Sequence, residues 1–352
     1  MAVAGYRAPM TKSQTSILAI HPGALGDVIL FGHLLAALRP SAGESTPSQQ
    51  AGPHSCSSSA TSAALRLETT ITLVAGGAKA RLLAGAGVVD AAADFDGLPI
   101  HELFSDTPLD QCRLPAMLGR CGRIVSCFVD ADCPPARRLM RMCGAGDLTA
   151  LPIRPPLGYP GHLTDLWRQR LGLAGKLQPA TWTIPPAWRQ AAARALKELG
   201  IDVTSRIGRR YVVIHPGAGA PDKCWAIQRF LDVAASLGST GMGVVFAIGP
   251  VELERWPGQQ IAHLGRAGAV LADPPLTELA GVLAGAAAYV GNDSGVSHLA
   301  AAVGAPAVVL FGPTSPTRFA PLGRGVTCLS NDTMDDILTS WVIDAVAKVC
   351  GA

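Results

Sequence analysis

Residues 287–321, AAYVGNDSGVSHLAAAVGAPAVVLFGPTSPTRFAP, leave this chain few folds to choose from. Residues 287–290 are apolar and read as the end of a buried strand. Residues 291–295, GNDSG, turn sharply. Residues 296–303 are small and apolar enough to form a helix packed on a sheet. Gly304 stops that helix, Pro306 follows, and 307–311 is a second buried strand. Strand, polar turn, helix and strand together are the grammar of a parallel α/β sheet. The helix opens where Asp293, Ser294 and Gly295 stand. A helix N-terminus presents free N–H groups and partial positive charge, which suits a phosphate. Gly295 lets the backbone come close, and Ser294 and His298 can add donors. A carboxylate beside a phosphate repels it, so Asp293 is expected to cap the helix or bind another polar group. The plainer alternative is that Asp293 or Ser294 only caps and that His298 is a satisfied core histidine. A second turn, GPTSP at 312–316, also follows a strand. In open parallel sheets such loops line the ligand crevice.

The chain has 352 residues, enough for two domains. Hydrophobic residues make up 49% and charged residues 16%, so cores can be built in both halves. A net charge of +3 gives no argument for nucleic acid. No apolar run reaches the ~20 residues that span a bilayer. The first residues lack the zones of a secretory signal, and the chain is read as cytosolic. Nine cysteines without a C-x-x-C read as reduced thiols rather than a zinc site, although Cys112, Cys121, Cys127, Cys133 and Cys143 fall close together.

Along the chain, 17–20 is a short buried strand and 28–38 an apolar helix. Asp27 stands at the turn between them, either capping the helix or serving as a general base facing a cleft. Residues 41–67, rich in Ser, Ala, Gly and Thr, read as a flexible insertion. Strands follow at 70–74, near 88–95 and at 124–129. Asp130-x-Asp132 and Asp94-x-Asp96 could offer paired carboxylates to a hard cation, but three-residue patterns arise often by chance, and both rank below the Asp293 turn. Arg113, Arg120, Arg123, Arg137, Arg138 and Arg141 form either a solvated surface or a basic face for an anionic acceptor or membrane surface. Residues 178–186 read as a linker. The second half opens on YVVIHPGA, an echo of ILAIHPGA at the start, which fits two similar α/β halves. After this second turn, Lys223 could neutralise a diphosphate or be a solvated lysine. Glu252 or Glu254, after a strand at 243–249, could accept ribose hydroxyls. Residues 336–349 are a final amphipathic helix.

Three blocks in order, GALGDVIL at 23–30, HPGAG with a later K-x-W at 215–225 and GNDSGVSHLAAAVGAPAVVLFGPTSPTRFAP at 291–321, resemble the heptosyltransferase-like glycosyltransferases of family 9. The resemblance implies the GT-B fold: two Rossmann-like domains facing across a cleft, with a C-terminal helix returning to the first. The domains are then expected at 1–180 (acceptor) and 181–335 (nucleotide sugar), with 336–352 packing back on the first. It also implies inverting, metal-independent sugar transfer, without a further cofactor, from a nucleotide sugar, commonly ADP-heptose, to a lipopolysaccharide core or related glycan acceptor. Carried over by motif, Asp27 is the general base and Lys223 lies on the donor phosphates. Asp293, Ser294, Gly295 and His298 form the donor turn, with Gly26, His215, Gly217 and Glu252 completing the site. The chain departs from the pattern in offering His21 and Pro22 where an arginine is usual and Phe319 where a tryptophan is common.

The chemistry agrees with this assignment. Displacement at an anomeric carbon needs a base for the acceptor hydroxyl and positive charge on the departing diphosphate. The rivals are another GT-B enzyme, either a transferase for a different sugar or a sugar-nucleotide epimerase, and a non-catalytic nucleotide-sugar binding protein. The expected partners are the donor, a glycolipid or glycan acceptor and the inner membrane surface, with no nucleic acid.

Overall fold

The structure, a computed structural model, describes residues 15–39, 69–201 and 211–351. The expected insertion at 41–67 lies outside the described residues. In the first half the order is β1 (Thr15–Ile20), α1 (Leu25–Ala37), β2 (Thr69–Ala75), α2 (Gly77–Gly85), β3 (Ala91–Asp94), α3 (Leu114–Leu118), β4 (Arg123–Ser126), α4 (Pro134–Cys143), β5 (Asp147–Ala150) and α5 (Leu163–Arg170). In the second half it is α6 (Pro186–Glu198), β6 (Tyr211–His215), α7 (Ile227–Ser239), β7 (Gly243–Ile248), α8 (Pro250–Arg255), α9 (Gly258–Ala267), β8 (Ala269–Ala272), α10 (Leu276–Gly285), β9 (Ala288–Asn292), α11 (Gly295–Ala302), β10 (Ala307–Phe311), α12 (Pro316–Phe319), β11 (Val326–Ser330) and α13 (Thr339–Cys350).

The strands form two sheets, ordered β3-β2-β1-β4-β5 and β11-β10-β9-β6-β7-β8. Every ladder between them is parallel. Each sheet starts in its middle, grows outward on one side and then reverses, which is the Rossmann-like order. The reversal lies between β1 and β4 in one sheet and between β6 and β9 in the other. A ligand crevice belongs outside the carboxyl ends of those strands. The first opens onto the turn before α1, the second onto the turns after β6 and β9.

The apolar runs seen in the sequence are strands buried on both faces. In β10, Ala307, Val309 and Phe311 join a core shared with α1, α2, α10 and α11. Val308 and Leu310 face the opposite way, into a core with Phe230, Val342 and Val346. The first of these cores runs through both halves, because α1 packs directly on α11. The segment before α6 adds to the join, with the Trp182 N–H donating to the Ala302 carbonyl at 2.8 Å.

The C-terminal helix corrects an expectation. Rather than returning to the first half, α13 packs on α7 and against β9, β10 and β11. Its buried Val342, Ala345 and Val346 cover the face carrying Val290, Val308 and Leu310. That face would otherwise expose three β-branched or leucine side chains, so the nearest amphipathic helix covers it.

The cysteine cluster has a packing explanation. Cys143 is buried in the core between β1, β4 and α4, and Cys112, Cys121 and Cys133 are partly buried against it. They act there as small apolar fillers. Among the described residues no group of three or more His, Cys, Asp or Glu side chains could hold a metal ion. Asp130 and Asp132 are both exposed, and β4 ends at Ser126, short of them. Asp94 is used locally, accepting from the Asp96 N–H. No described helix is long and apolar enough to cross a membrane.

Candidate active site

The first switch point is built around His21, wholly buried at the end of β1. Its Nδ1 accepts the Gly23 N–H at 3.1 Å, and its ring lies 5.2 Å from Phe31 and 5.9 Å from Trp167. Burial pushes its pKa down to about 4, so the ring is neutral. With Nδ1 accepting, the proton sits on Nε2. His21 therefore holds the Pro22–Ala24 turn in place. Lys79, from α2, reaches the same turn and donates to the Gly23 carbonyl at 2.6 Å. A cation thus does stand beside the first turn, supplied by another element.

Helix α1 begins at Leu25, three residues earlier than its apolar pattern implies, so Asp27 lies in its first turn. Burial raises the Asp27 pKa. The Ala24 backbone, Arg154 and Lys223 oppose that rise, and Asp293 adds to it. Lys223 and Asp293 belong to the second half, so the two halves' charges meet at this carboxyl.

The second switch point uses its glycines for contact. A Cβ on Gly217 would lie 2.0 Å from Glu252 Oε1. Glu252 is buried, and its Oε2 accepts the Gly249 N–H at 2.8 Å, capping α8. Glu254 is exposed, so of the two acids only Glu252 reaches this turn. His215, buried at the end of β6, donates from Nδ1 to the Ala247 carbonyl at 2.9 Å. Burial lowers its pKa, which leaves Nε2 as an acceptor.

Asn292, fully buried, ties the turns together. Its Nδ2 donates to the Pro216 and Gly217 carbonyls at 2.9 and 3.3 Å, and its Oδ1 accepts the Trp225 N–H at 3.1 Å. Asp293 follows. Its Oδ2 accepts from Lys223 Nζ and Thr314 Oγ1, each at 2.8 Å. The cap of α11 is Ser294, which accepts the Ser297 N–H. Asp293 is therefore the residue that binds other polar groups, and Lys223 is a paired lysine rather than a solvated one. The Gly295 and Val296 N–H groups have no acceptor among the described residues. They are the free donors expected of a helix N-terminus.

The two switch points touch. A Cβ on Gly26 would lie 2.8 Å from His298 Cδ2, and a Cβ on Gly295 would lie 2.8 Å from Leu25 Cβ. The amino ends of α1 and α11 thus abut with glycine on both sides. His298 is buried, its pKa pushed down to about 4 by burial, and its Nδ1 has no partner among the described residues. It is not a satisfied core histidine. His162 and His33 add repulsion to any charge on it.

The structure brings together Gly26, Asp27, Lys223, Asp293, Ser294, Gly295 and His298, with His215, Gly217 and Glu252 grouped behind them at the end of β6. Lys79, Arg154, Asn292 and Thr314 escaped the sequence reading. Asn292 and Thr314 carried a signal, because they lie in the GNDSG and GPTSP turns.

Two abutting Rossmann-like units, with a carboxylate from one and a cation from the other at their join, narrow the choice of family. A sequence model of glycosyltransferase family 9 (heptosyltransferase) matches residues 162–337, half of the chain. The chain belongs to this family. Lipopolysaccharide heptosyltransferase 3 of Escherichia coli is 31% identical over 160 residues, covering 43% of this chain and 44% of that protein. The aligned part thus spans less than half of that curated relative. Among solved structures, the family 9 glycosyl transferase of Veillonella parvula superposes with a TM-score of 0.72 at 19% identity, covering 96% of this chain and 97% of that one. The ADP-heptose lipopolysaccharide heptosyltransferase II of E. coli gives 0.65 at 17%, covering 96% and 98%. The expected GT-B architecture is thereby shown over nearly the whole chain.

Proposed function

We propose that this family 9 member transfers heptose from ADP-heptose to a lipopolysaccharide core or related glycan, with inversion at the anomeric carbon. The observation that carries the reading is the abutment of the amino ends of α1 and α11, where Gly26 meets His298 and Gly295 meets Leu25, so that Asp27 of the first half stands at the turn of the second that holds Asp293 and Lys223. The family membership and the name of the E. coli relative support the donor and acceptor classes.

The acceptor is assigned to residues 1–180 and the donor to 181–335. The acceptor hydroxyl gives its proton to an Asp27 carboxylate oxygen as its own oxygen bonds the anomeric carbon. The bond from that carbon to the diphosphate breaks on the opposite face, and ADP leaves with the electron pair. Its charge is met by Lys223 and by the Gly295 and Val296 N–H groups at the start of α11. These charges and dipoles are in place before reaction, so little reorganisation is needed. Asp293 holds Lys223, and Thr314 holds Asp293. Glu252 and the neutral His215 offer acceptors for ribose hydroxyls. His298 packs against Gly26 and fixes the approach of the two helices. No metal is assigned to any step.

Contact with an anionic membrane surface is part of the proposal, on a smaller face than the arginine count suggests. Arg123 is paired with Asp147, and Arg138 donates to the Glu102 and Thr107 carbonyls. Arg113, Arg120 and Arg141 remain exposed, as do the apolar Phe104 and Met117 of the same half. Basic charge beside apolar side chains suits an anionic lipid surface.

The test is release of ADP from ADP-heptose with and without a core oligosaccharide acceptor. Acceptor-dependent release is expected. Conversion of the donor with no acceptor present indicates an epimerase instead, and binding without turnover indicates a binding protein.

A further inference from the structure

Helix α12, in the second half, grips the loop that follows β5 in the first. Arg318 donates from Nη2 to the carbonyls of Pro155 and Pro156, each at 3.1 Å. Just beyond α12, the Ala320 carbonyl lies 3.0 Å from Nε2 of His162, the N-cap of α5. These contacts bracket residues 155–162 from the other half of the molecule. Prolines at 152, 155, 156 and 160 fix their φ angles, which restricts the loop on either side of Arg154. Immediately before the gripped carbonyls stands Arg154, exposed and without a hydrogen-bond or ion-pair partner among the described residues. Its charge is felt by the Asp27 carboxylate. On the proposed donor side, α12 has its N-cap at Ser315, next to Thr314, whose hydroxyl holds Asp293 beside Lys223. Hydrogen bonds and chain connectivity therefore run from Asp293 and Thr314 through α12 to Arg318 and the Pro155 and Pro156 carbonyls, next in sequence to Arg154.

We propose that Arg318 is a positioning residue: by gripping Pro155 and Pro156 it fixes the neighbouring Arg154, whose charge acts on Asp27, and it links the helix after the proposed donor turn to that loop. This inference rests on Asp27 being the base. An arginine suits the task because one guanidinium nitrogen reaches two carbonyls at once and its charge strengthens both bonds. The guanidinium also lies 5.8 Å from the Phe319 ring, which limits its freedom. A lysine keeps the charge but is shorter and lacks the planar fork, and a glutamine holds neither carbonyl with charge.

The readout is the acid side of the pH–rate profile. The groups facing Asp27 are Arg154 from the post-β5 loop, Lys223 and Asp293 from the second half, Cys127 after β4 and His21 in its own turn, while His298 packs on the adjacent Gly26. Arg154 and Lys223 favour the ionised base, and Asp293 disfavours it. Moving Arg154 away therefore shifts loss of activity to higher pH.

The experiment measures kcat/KM for the acceptor against pH in full-length wild type, Arg154→Gln, Arg318→Gln, Arg318→Lys and the double variant R154Q/R318Q. ADP affinity and Tm are measured alongside. Arg154→Gln is expected to move the acid limb up by on the order of half a pH unit. Arg318→Gln moves it the same way by less, and Arg318→Lys restores part of the difference. The double variant moves no further than Arg154→Gln alone, and ADP affinity stays within about twofold. An Arg318→Gln limb that coincides with wild type while Arg154→Gln shifts overturns the inference. So does a double variant showing the sum of both shifts. If Arg318→Gln fails to fold, Arg318→Lys carries the same comparison. An Asp27→Asn enzyme with full turnover removes the base and this inference with it, a result distinct from failure of Arg318 alone.

Discussion

Lys223 Nζ lies 2.8 Å from Asp293 Oδ2, so the cation proposed to meet the leaving diphosphate is held by the residue that precedes the cap of α11. Asp293 is nearly buried and Lys223 only partly so. The pair is therefore a tether more than a stabilising bond. Replacing Lys223 by alanine leaves a buried carboxylate with only the Thr314 hydroxyl. Allowing for screening at the exposed lysine, the expected cost is about 1–2 kcal/mol, seen as a fall of a few degrees in Tm. The same variant is expected to bind ADP about tenfold more weakly or worse by calorimetry. Unchanged ADP affinity would place Lys223 outside the donor site.

Asp27 sets a second expectation. Burial raises its pKa, and the base must be ionised to act. Activity therefore falls as pH drops through its folded value, which lies above the ordinary ~4 of an aspartate. The acid limb of kcat/KM should stand above that figure in wild type. A limb at or below it would remove Asp27 as the titrating group.

Buried histidines make folding itself pH-dependent. His21, His33 and His298 are each held down to about 4 by burial. Their lowered values mean that the unfolded chain binds protons first. The stability tied to their neutral rings is complete above about 6.5 and is lost as pH falls toward about 4. His33 is the cleanest case, because neither ring nitrogen has a partner among the described residues and the ring only packs near Trp182. Replacing it by leucine keeps the packing and removes the titration. At pH 5 the variant should gain about 2 kcal/mol relative to wild type, beyond any difference at pH 7.5. Parallel urea midpoints at the two pH values would contradict this.

Gly217 offers a test of the second switch point. An alanine there meets Glu252 Oε1, and the other oxygen of that carboxylate is committed to the Gly249 N–H. Gly217→Ala is expected to cost about 1–3 kcal/mol in urea denaturation. Adding Glu252→Ala to Gly217→Ala should restore part of that loss by opening the space. A double variant less stable than either single one would show that the clash is not the cause.

What the sequence disclosed, and what it hid, follows from locality. The strand–turn–helix–strand at 287–321 was readable because both strands are buried on both faces and the turn lies wholly within one stretch. Its details moved by a residue or two, since β9 runs on to Asn292 and leaves only Asp293 and Ser294 in the turn. Strands β5, β8 and β11 escaped because they are short, partly exposed strands at the edges of the sheets, with weak apolar patterns. The amphipathic α13 was legible as a helix, but its destination was not, because which sheet face lacks cover is a property of the assembled core. Arg154 and Lys79 reach the site from loops and helices far along the chain, and only their placement in space reveals them. The turn proposed for the donor was legible as a turn; of the charges that act on Asp27, Lys223 and Asp293 were singled out and Arg154 was not.

The central claim is that the first half supplies the base and the second half holds the donor, in one shared site. Asp27→Asn keeps the shape of the carboxyl and removes its ability to take a proton. This variant is expected to lose acceptor-dependent release of ADP from ADP-heptose by about a thousandfold or more while its ADP affinity stays within about twofold of wild type. Turnover within tenfold of wild type at saturating substrates would contradict it.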